Sequence, residues 1–139
     1  MKSICVIGSG ISGSTIANLL SKKYKVDVYE KAKGIGGRSS HRRYLNKLGF
    51  DHGLQYISPK TSKFKKFCSG LQKKRVLKKW QGPHNFDHSK VLENKKHTKL
   101  IGAKGNNAIS KYLLKNINCI FGYELSKIER IRKNWKLSF

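Results

Sequence analysis

The chain has 139 residues and carries 31 Lys plus Arg against 7 Asp plus Glu, a formal net charge of +24 at pH 7. This length holds one compact domain and excludes a two-domain enzyme of ordinary size. Its 36 Leu, Ile, Val and Phe residues exclude intrinsic disorder despite the charge, and 25 of the 31 cations are Lys spread from Lys2 to Lys136, whereas a nucleic-acid reader concentrates Arg on one element.

In chain order, Ile4-Cys5-Val6-Ile7 is a continuous apolar run, as in a strand buried on both faces. It runs into Gly8-Ser9-Gly10-Ile11-Ser12-Gly13, a G-x-G-x-x-G. The spacing of Ile11, Ile16, Leu19 and Leu20 then predicts a helix packed on a sheet, with Lys22, Lys23 and Lys25 placed favourably for the helix dipole at its end. Val26 to Tyr29 is a second strand, and Glu30 closes it. A strand, a glycine turn, a helix, a strand and an acid in about thirty residues make a complete dinucleotide-binding unit. In it Gly8 makes the tight turn, Gly10 lets the backbone approach a pyrophosphate, and Gly13 lets helix and strand pack closely. Helix N–H groups bind the phosphates. A Glu30 carboxylate accepts hydrogen bonds from ribose hydroxyls and repels a 2′-phosphate, which disfavours NADP here.

Next comes Lys31-Ala32-Lys33-Gly34-Ile35-Gly36-Gly37-Arg38, a glycine-rich cationic loop suited to lie along a phosphate or sugar. Lys60 to Gly70 reads as a helix with Phe64 and Phe67 on one side. Val76, Leu77 and Trp80 suggest a strand, and Gln81 to Asn85 a turn. The Lys-rich run around Lys73 to Lys79 is a solvated face.

The order of these motifs resembles the FAD-dependent amine oxidase superfamily, and within it the renalase-type NAD(P)/FAD-dependent oxidoreductases. The resemblance rests on the fingerprint, the Glu30-Lys31 pair, Gly36-Gly37-Arg38, Arg42-Arg43, and Phe50 to Tyr56 as a D-x-G-x-Q-Y strand. His41 stands where the family has Thr. Leu100 to Ile109 is similar to a V-G-x-P-G-M-N-A-L segment that opens a helix, with Lys104 for Pro and Asn106 for Met. Asn118 to Ile120, Tyr123 to Leu125, Ile128 to Ile131 and Trp135 to Leu137 resemble the strands that return to the FAD domain.

The resemblance implies an α/β fold: a Rossmann-type βαβ unit with additional antiparallel strands, apparently truncated. It divides the chain into a dinucleotide-binding part with the G-G-R loop (1–58), the start of a substrate-domain-like insertion (59–99), and a returning helix and strands (100–139). It implies FAD as cofactor, a reduced dinucleotide or amine-like compound as hydride donor, and a small-molecule substrate. Gly8, Gly10, Ser12, Gly13, Glu30, Lys31, Gly36, Gly37, Arg38 and the backbone near Leu125 would hold the flavin nucleotide. No side chain stands out as a catalytic base. Trp80, His84 and His88 are candidates for a substrate cavity, with core packing or an exposed loop as the alternative. The late Gly-Asp segment of the family does not occur before Phe139, so the chain is expected to be a fragment, a remnant, or half of a split enzyme completed by a second chain. An inactive dinucleotide-binding remnant and a basic nucleic-acid-associated protein are the alternative functions.

The remaining residues bound the setting. Cys5, Cys68 and Cys119 are an odd number without C-x-x-C spacing, which argues against disulfides and structural zinc and for a reducing, cytoplasmic compartment. Cys5 reads as a small core residue. The five His are dispersed, so no metal is expected. Ile4 to Leu20 is interrupted by glycines and serines and ends at Lys22, which argues against a signal peptide or anchor and leaves no membrane contact expected.

Overall fold

The computed structural model describes residues 3–45, 48–81 and 98–139. Strand β1 (Ser3–Ile7) leads through the glycine turn into helix α1 (Ile11–Leu20), and β2 (Lys25–Glu30) returns parallel to β1. A short 3-10 turn (Gly37–Ser39) precedes the hairpin β3 (His41–Tyr44) and β4 (Leu48–Asp51). Helix α2 (Ser62–Lys73) and β5 (Leu77–Lys79) follow. Strand β6 (Leu100–Gly102) pairs antiparallel with β5 and leads to α3 (Ala108–Leu113). Strand β7 (Asn118–Phe121) joins the first sheet parallel to β2, and β8 (Lys127–Ile131) and β9 (Asn134–Ser138) form a separate hairpin. The parallel sheet therefore runs β1-β2-β7, and the fold is a mixed α/β Rossmann-like one.

Helix α1 covers one face of that sheet, joined by Leu114 just beyond α3. There Val6, Ala17, Val26, Val28 and Leu114 form a core, each large side chain removed from water contributing roughly 1.5–3 kcal/mol. The fully buried residues of α1 are small, Ser14 and Ala17, because Gly13 brings the helix onto the strand, and Leu20 packs against the core from the helix end as expected. Ile11, Ile16 and Leu19, expected to face the sheet, are exposed. Cys5, expected in the core, is exposed as well. Side chains alternate along a strand, so Cys5 and Ile7 take the face opposite Val6, away from the helices.

A second core joins Ile57, Cys68, Leu71, Leu77, Leu100, Ile109 and Leu113. Thr61 caps α2 by accepting the Phe64 N–H at 3.3 Å, so the helix starts later and ends later than its sequence suggests. Its buried pair is Cys68 and Leu71. Phe64 and Phe67 stack on each other at 6.2 Å and stay partly exposed. Trp80 follows β5, donating its N–H to the Lys99 carbonyl and packing edge-on against Tyr56. The expected turn after Gln81 and the candidates His84 and His88 lie outside the described residues. No helix among the described residues is long and apolar enough to cross a membrane.

Candidate functional site

The glycine turn sits where β1 delivers the chain to the start of α1. Gly8 has φ +93°, a conformation that side chains disfavour, and donates its N–H to Tyr29 at 2.8 Å. Gly13 is required by packing alone, since a Cβ there would stand 2.0 Å from the Gly8 carbonyl oxygen. Gly10 differs. A Cβ on it would meet protein atoms only at 3.9 Å, the Gly36 carbonyl and the Gly37 Cα, which is ordinary contact. The protein itself leaves room above Gly10.

That room is part of a cavity of about 740 Å³, walled by the fingerprint and by the loop carrying Gly36, Gly37 and Arg38. A bridge between Gly10 and Gly36 ties the two loops together. Gly36, at φ +139°, lies so close to Asn107 and Ser40 that a Cβ would be 2.9 Å from each. Gly8, Gly10, Ser12, Gly13, Gly36, Gly37 and Arg38 all line the cavity. So do Ser39, Gly53 and Leu54. The Leu54 N–H donates to the Arg38 carbonyl at 2.9 Å, which seats the second wall. Arg38 is the only ionisable side chain among these lining residues, so the cavity offers a cation for an anionic ligand and no general base.

At the end of β2, Glu30 is 7% exposed and held in one orientation. Its Oε2 accepts both the N–H and the hydroxyl of Ser9, each at 2.7 Å, and its Oε1 accepts the Ala32 N–H at 2.9 Å. A carboxylate offers about four acceptor positions. Three are occupied, leaving one on Oε1. Burial pushes the Glu30 carboxyl up, but the N–H groups of Ala32 and Ser9, the Ser9 hydroxyl and the Lys31 charge outweigh it and hold its pKa below the usual value. Glu30 is therefore an anion at neutral pH. Ser9, fully buried, was not a sequence candidate. Its contact with Glu30 spans 21 positions, and no local pattern announces it.

Three expected site residues do not line the cavity: Glu30, Lys31 and Leu125. Lys31 is exposed and pairs with Glu124 at 3.0 Å, a hydrogen bond that raises its pKa. Leu125 follows β7 in a stretch tied to the end of β2 by the Tyr123 N–H on the Glu30 carbonyl at 3.2 Å. His41, in the place of the family's Thr, faces Asp51 at 3.0 Å, and the same Asp51 oxygen accepts the Asn106 N–H at 2.8 Å. Ser40 and His52 pair at 2.9 Å on the next rung of the hairpin. Asn106, fully buried, accepts from the Gly102 N–H and donates to the Leu54 and Gln55 carbonyls, which holds the Gly53 wall against the second core. Among the described residues no group of three or more His, Cys, Asp or Glu could hold a metal ion.

Residues 6–71 match the family described as "NAD(P)-binding Rossmann-like domain". Among solved structures, the chain is similar to the tetracycline destructase Tet(51), at a TM-score of 0.61 and 16% identity, over 100% of this chain and 35% of that one. It is also similar to THI4 of Thermovibrio ammonificans, at a TM-score of 0.51 and 14% identity, over 97% of this chain and 45% of that one. The chain thus spans less than half the length of either neighbour, and at these identities the likeness is one of fold. The glycine turn, strand β2 parallel to β1, and the fixed acid all lie within the matched residues 6–71, which form a Rossmann-like dinucleotide-binding domain.

Proposed function

We propose that this chain is the FAD-binding portion of a flavin-dependent oxidoreductase of the renalase or amine oxidase type. The observation that carries the reading is the open space over Gly10 between two glycine loops, with Arg38 on its wall. Gly8 and Gly10 present backbone to a pyrophosphate, and the start of α1 supplies N–H groups and the positive end of a helix dipole. Glu30 orients the adenosine ribose by accepting one hydroxyl on Oε1. Its negative charge disfavours a 2′-phosphate at that position. Arg38 neutralises phosphate charge from the opposite wall. FAD, when bound, supplies the hydride-accepting centre, and this chain contributes binding and orientation.

Titration of the purified chain with FAD and with ADP tests the reading. Saturable binding of both, with the 2′-phosphorylated form of ADP binding more weakly, is the expected result. A chain that binds neither is not a flavin-nucleotide protein. Binding of ADP without any further gain from FAD would favour a nucleotide-binding remnant.

A further inference from the structure

Away from the glycine loops, three cations from separate elements meet around a second concavity, of about 260 Å³. Arg75 comes from the turn after α2, Lys104 from the loop between β6 and α3, and Lys111 from α3 itself. Val76, Ala103 and Ala108 line the rest, and no acid does among the described residues. Half of these lining residues are cationic, whereas the larger cavity has Arg38 alone. Like charges gathered on a concave wall repel one another and focus their field into the space they enclose. Such a pocket attracts an anion.

The protein's own bonds fix the walls. Ala103 donates its N–H to the Val76 carbonyl at 2.9 Å, which ties the turn after α2 to the loop before α3. Asn106 Oδ1 accepts the Gly102 N–H at 2.8 Å and holds that loop closed. Lys74 is engaged with Tyr112, donating to its hydroxyl and lying 5.1 Å from its ring centre. Its neighbour Arg75 is not so engaged. Arg75, Lys104 and Lys111 make no side-chain hydrogen bond or ion pair among the described residues. Arg75 closes α2, its N–H on the Gln72 carbonyl and the Val76 N–H on the Leu71 carbonyl, both at 2.9 Å. Its φ of +58° is the left-handed conformation that ordinarily takes glycine at a helix end. An arginine held there against backbone preference points to a use for its side chain.

We propose that this pocket binds a phosphate group. The Arg75 guanidinium takes two phosphate oxygens through its planar fork, and Lys104 and Lys111 act as point charges on the others. Val76, Ala103 and Ala108 offer apolar contact to the carbon of a phosphate ester. Inorganic phosphate and an ester present the same charged group, and the test separates them. This inference does not depend on the nucleotide reading.

The test titrates the full chain with inorganic phosphate and with phenyl phosphate at constant ionic strength, read by amide NMR shifts. Shifts of Ala103, Lys104 and Ala108 report this pocket, and those of Gly10 and Ser12 report the glycine loops, so this proposal and the nucleotide reading fail separately. Saturable shifts at the pocket are expected. Tighter binding of phenyl phosphate supports the site with an ester as its ligand, and equal affinity supports it with the free ion. The pair Arg75→Gly and Lys104→Ala should weaken binding at least about tenfold. The pair Lys22→Ala and Lys23→Ala removes the same charge from an exposed stretch elsewhere and should leave binding unchanged. Arg75→Gly alone should weaken binding while leaving the fold at least as stable in thermal unfolding, because glycine accepts the left-handed backbone. Equal losses in the two paired variants mean diffuse attraction to a chain of net charge +24. That result, or no shift at the pocket amides, overturns the proposal.

Discussion

Glu30 and Asn106 are both buried polar side chains holding three hydrogen bonds, and they differ in charge and in what they border. Asn106 is enclosed at 0% exposure, with both amide donations directed at carbonyls of its own chain. Glu30 stands at a strand end with one acceptor position remaining, beside a loop that leaves space over Gly10. The first is a clamp that closes the protein on itself. The second has chemistry left for a ligand. Each keeps one acceptor position, since the Asn106 Oδ1 accepts only once; charge and surroundings distinguish them, not the number of contacts.

The strongest way to break this contrast is to remove the clamp. Asn106→Ala strands the Gly102 N–H and the Leu54 and Gln55 carbonyls, and should cost about 3–4 kcal/mol in urea unfolding. The folded fraction should still bind ADP. Loss of binding at full stability would make Asn106 a ligand residue.

Gly10→Val reverses the pattern. A Cβ there meets only the Gly36 carbonyl and the Gly37 Cα, at an ordinary 3.9 Å, so circular dichroism and unfolding should change little. ADP affinity should fall at least about a hundredfold, or 2.7 kcal/mol. A folded variant that still binds would show that the loop cradles no phosphate.

Glu30→Ala should weaken adenine-nucleotide binding by about 2 kcal/mol, as for a charge-assisted hydrogen bond. The same residue sets a pH response. Its folded pKa is lowered, so the stability it contributes is present above the unfolded value of 4.5 and is lost as pH falls through the lower folded value. Unfolding measured from neutral to acid pH should show this component, and Glu30→Ala should lack it.

Smallest is Ser9→Ala, which deletes the hydroxyl on Oε2 and keeps the backbone N–H. About 1 kcal/mol of nucleotide affinity should go, and the acid component of unfolding should move to higher pH. Ser9→Thr, which restores a hydroxyl, should recover most of both. An unmoved acid component would show that the hydroxyl does not hold the carboxylate.

The sequence by itself determined what is local: a strand, a glycine turn, a helix, a second strand and an acid within about thirty residues. Their periods and spacings are written in consecutive positions, and β1, α1 and β2 follow them to within a residue. It was a poor guide to sidedness. The spacing of Ile11, Ile16, Leu19 and Leu20 put these residues on the sheet, yet only Leu20 packs against its core; Gly13 draws α1 so close to β1 that the fully buried helix positions are Ser14 and Ala17. Whether Cys5 is buried depends on which face of the sheet the helices cover, and a strand's own alternation cannot say. Only the tertiary structure brought Ser9 to Glu30 across 21 positions, Asp51 to Asn106 across 55, and Leu54 to Arg38 to seat the second wall. Hydrogen bonds of that range are set by how the elements pack, and packing couples residues that no sequence window contains.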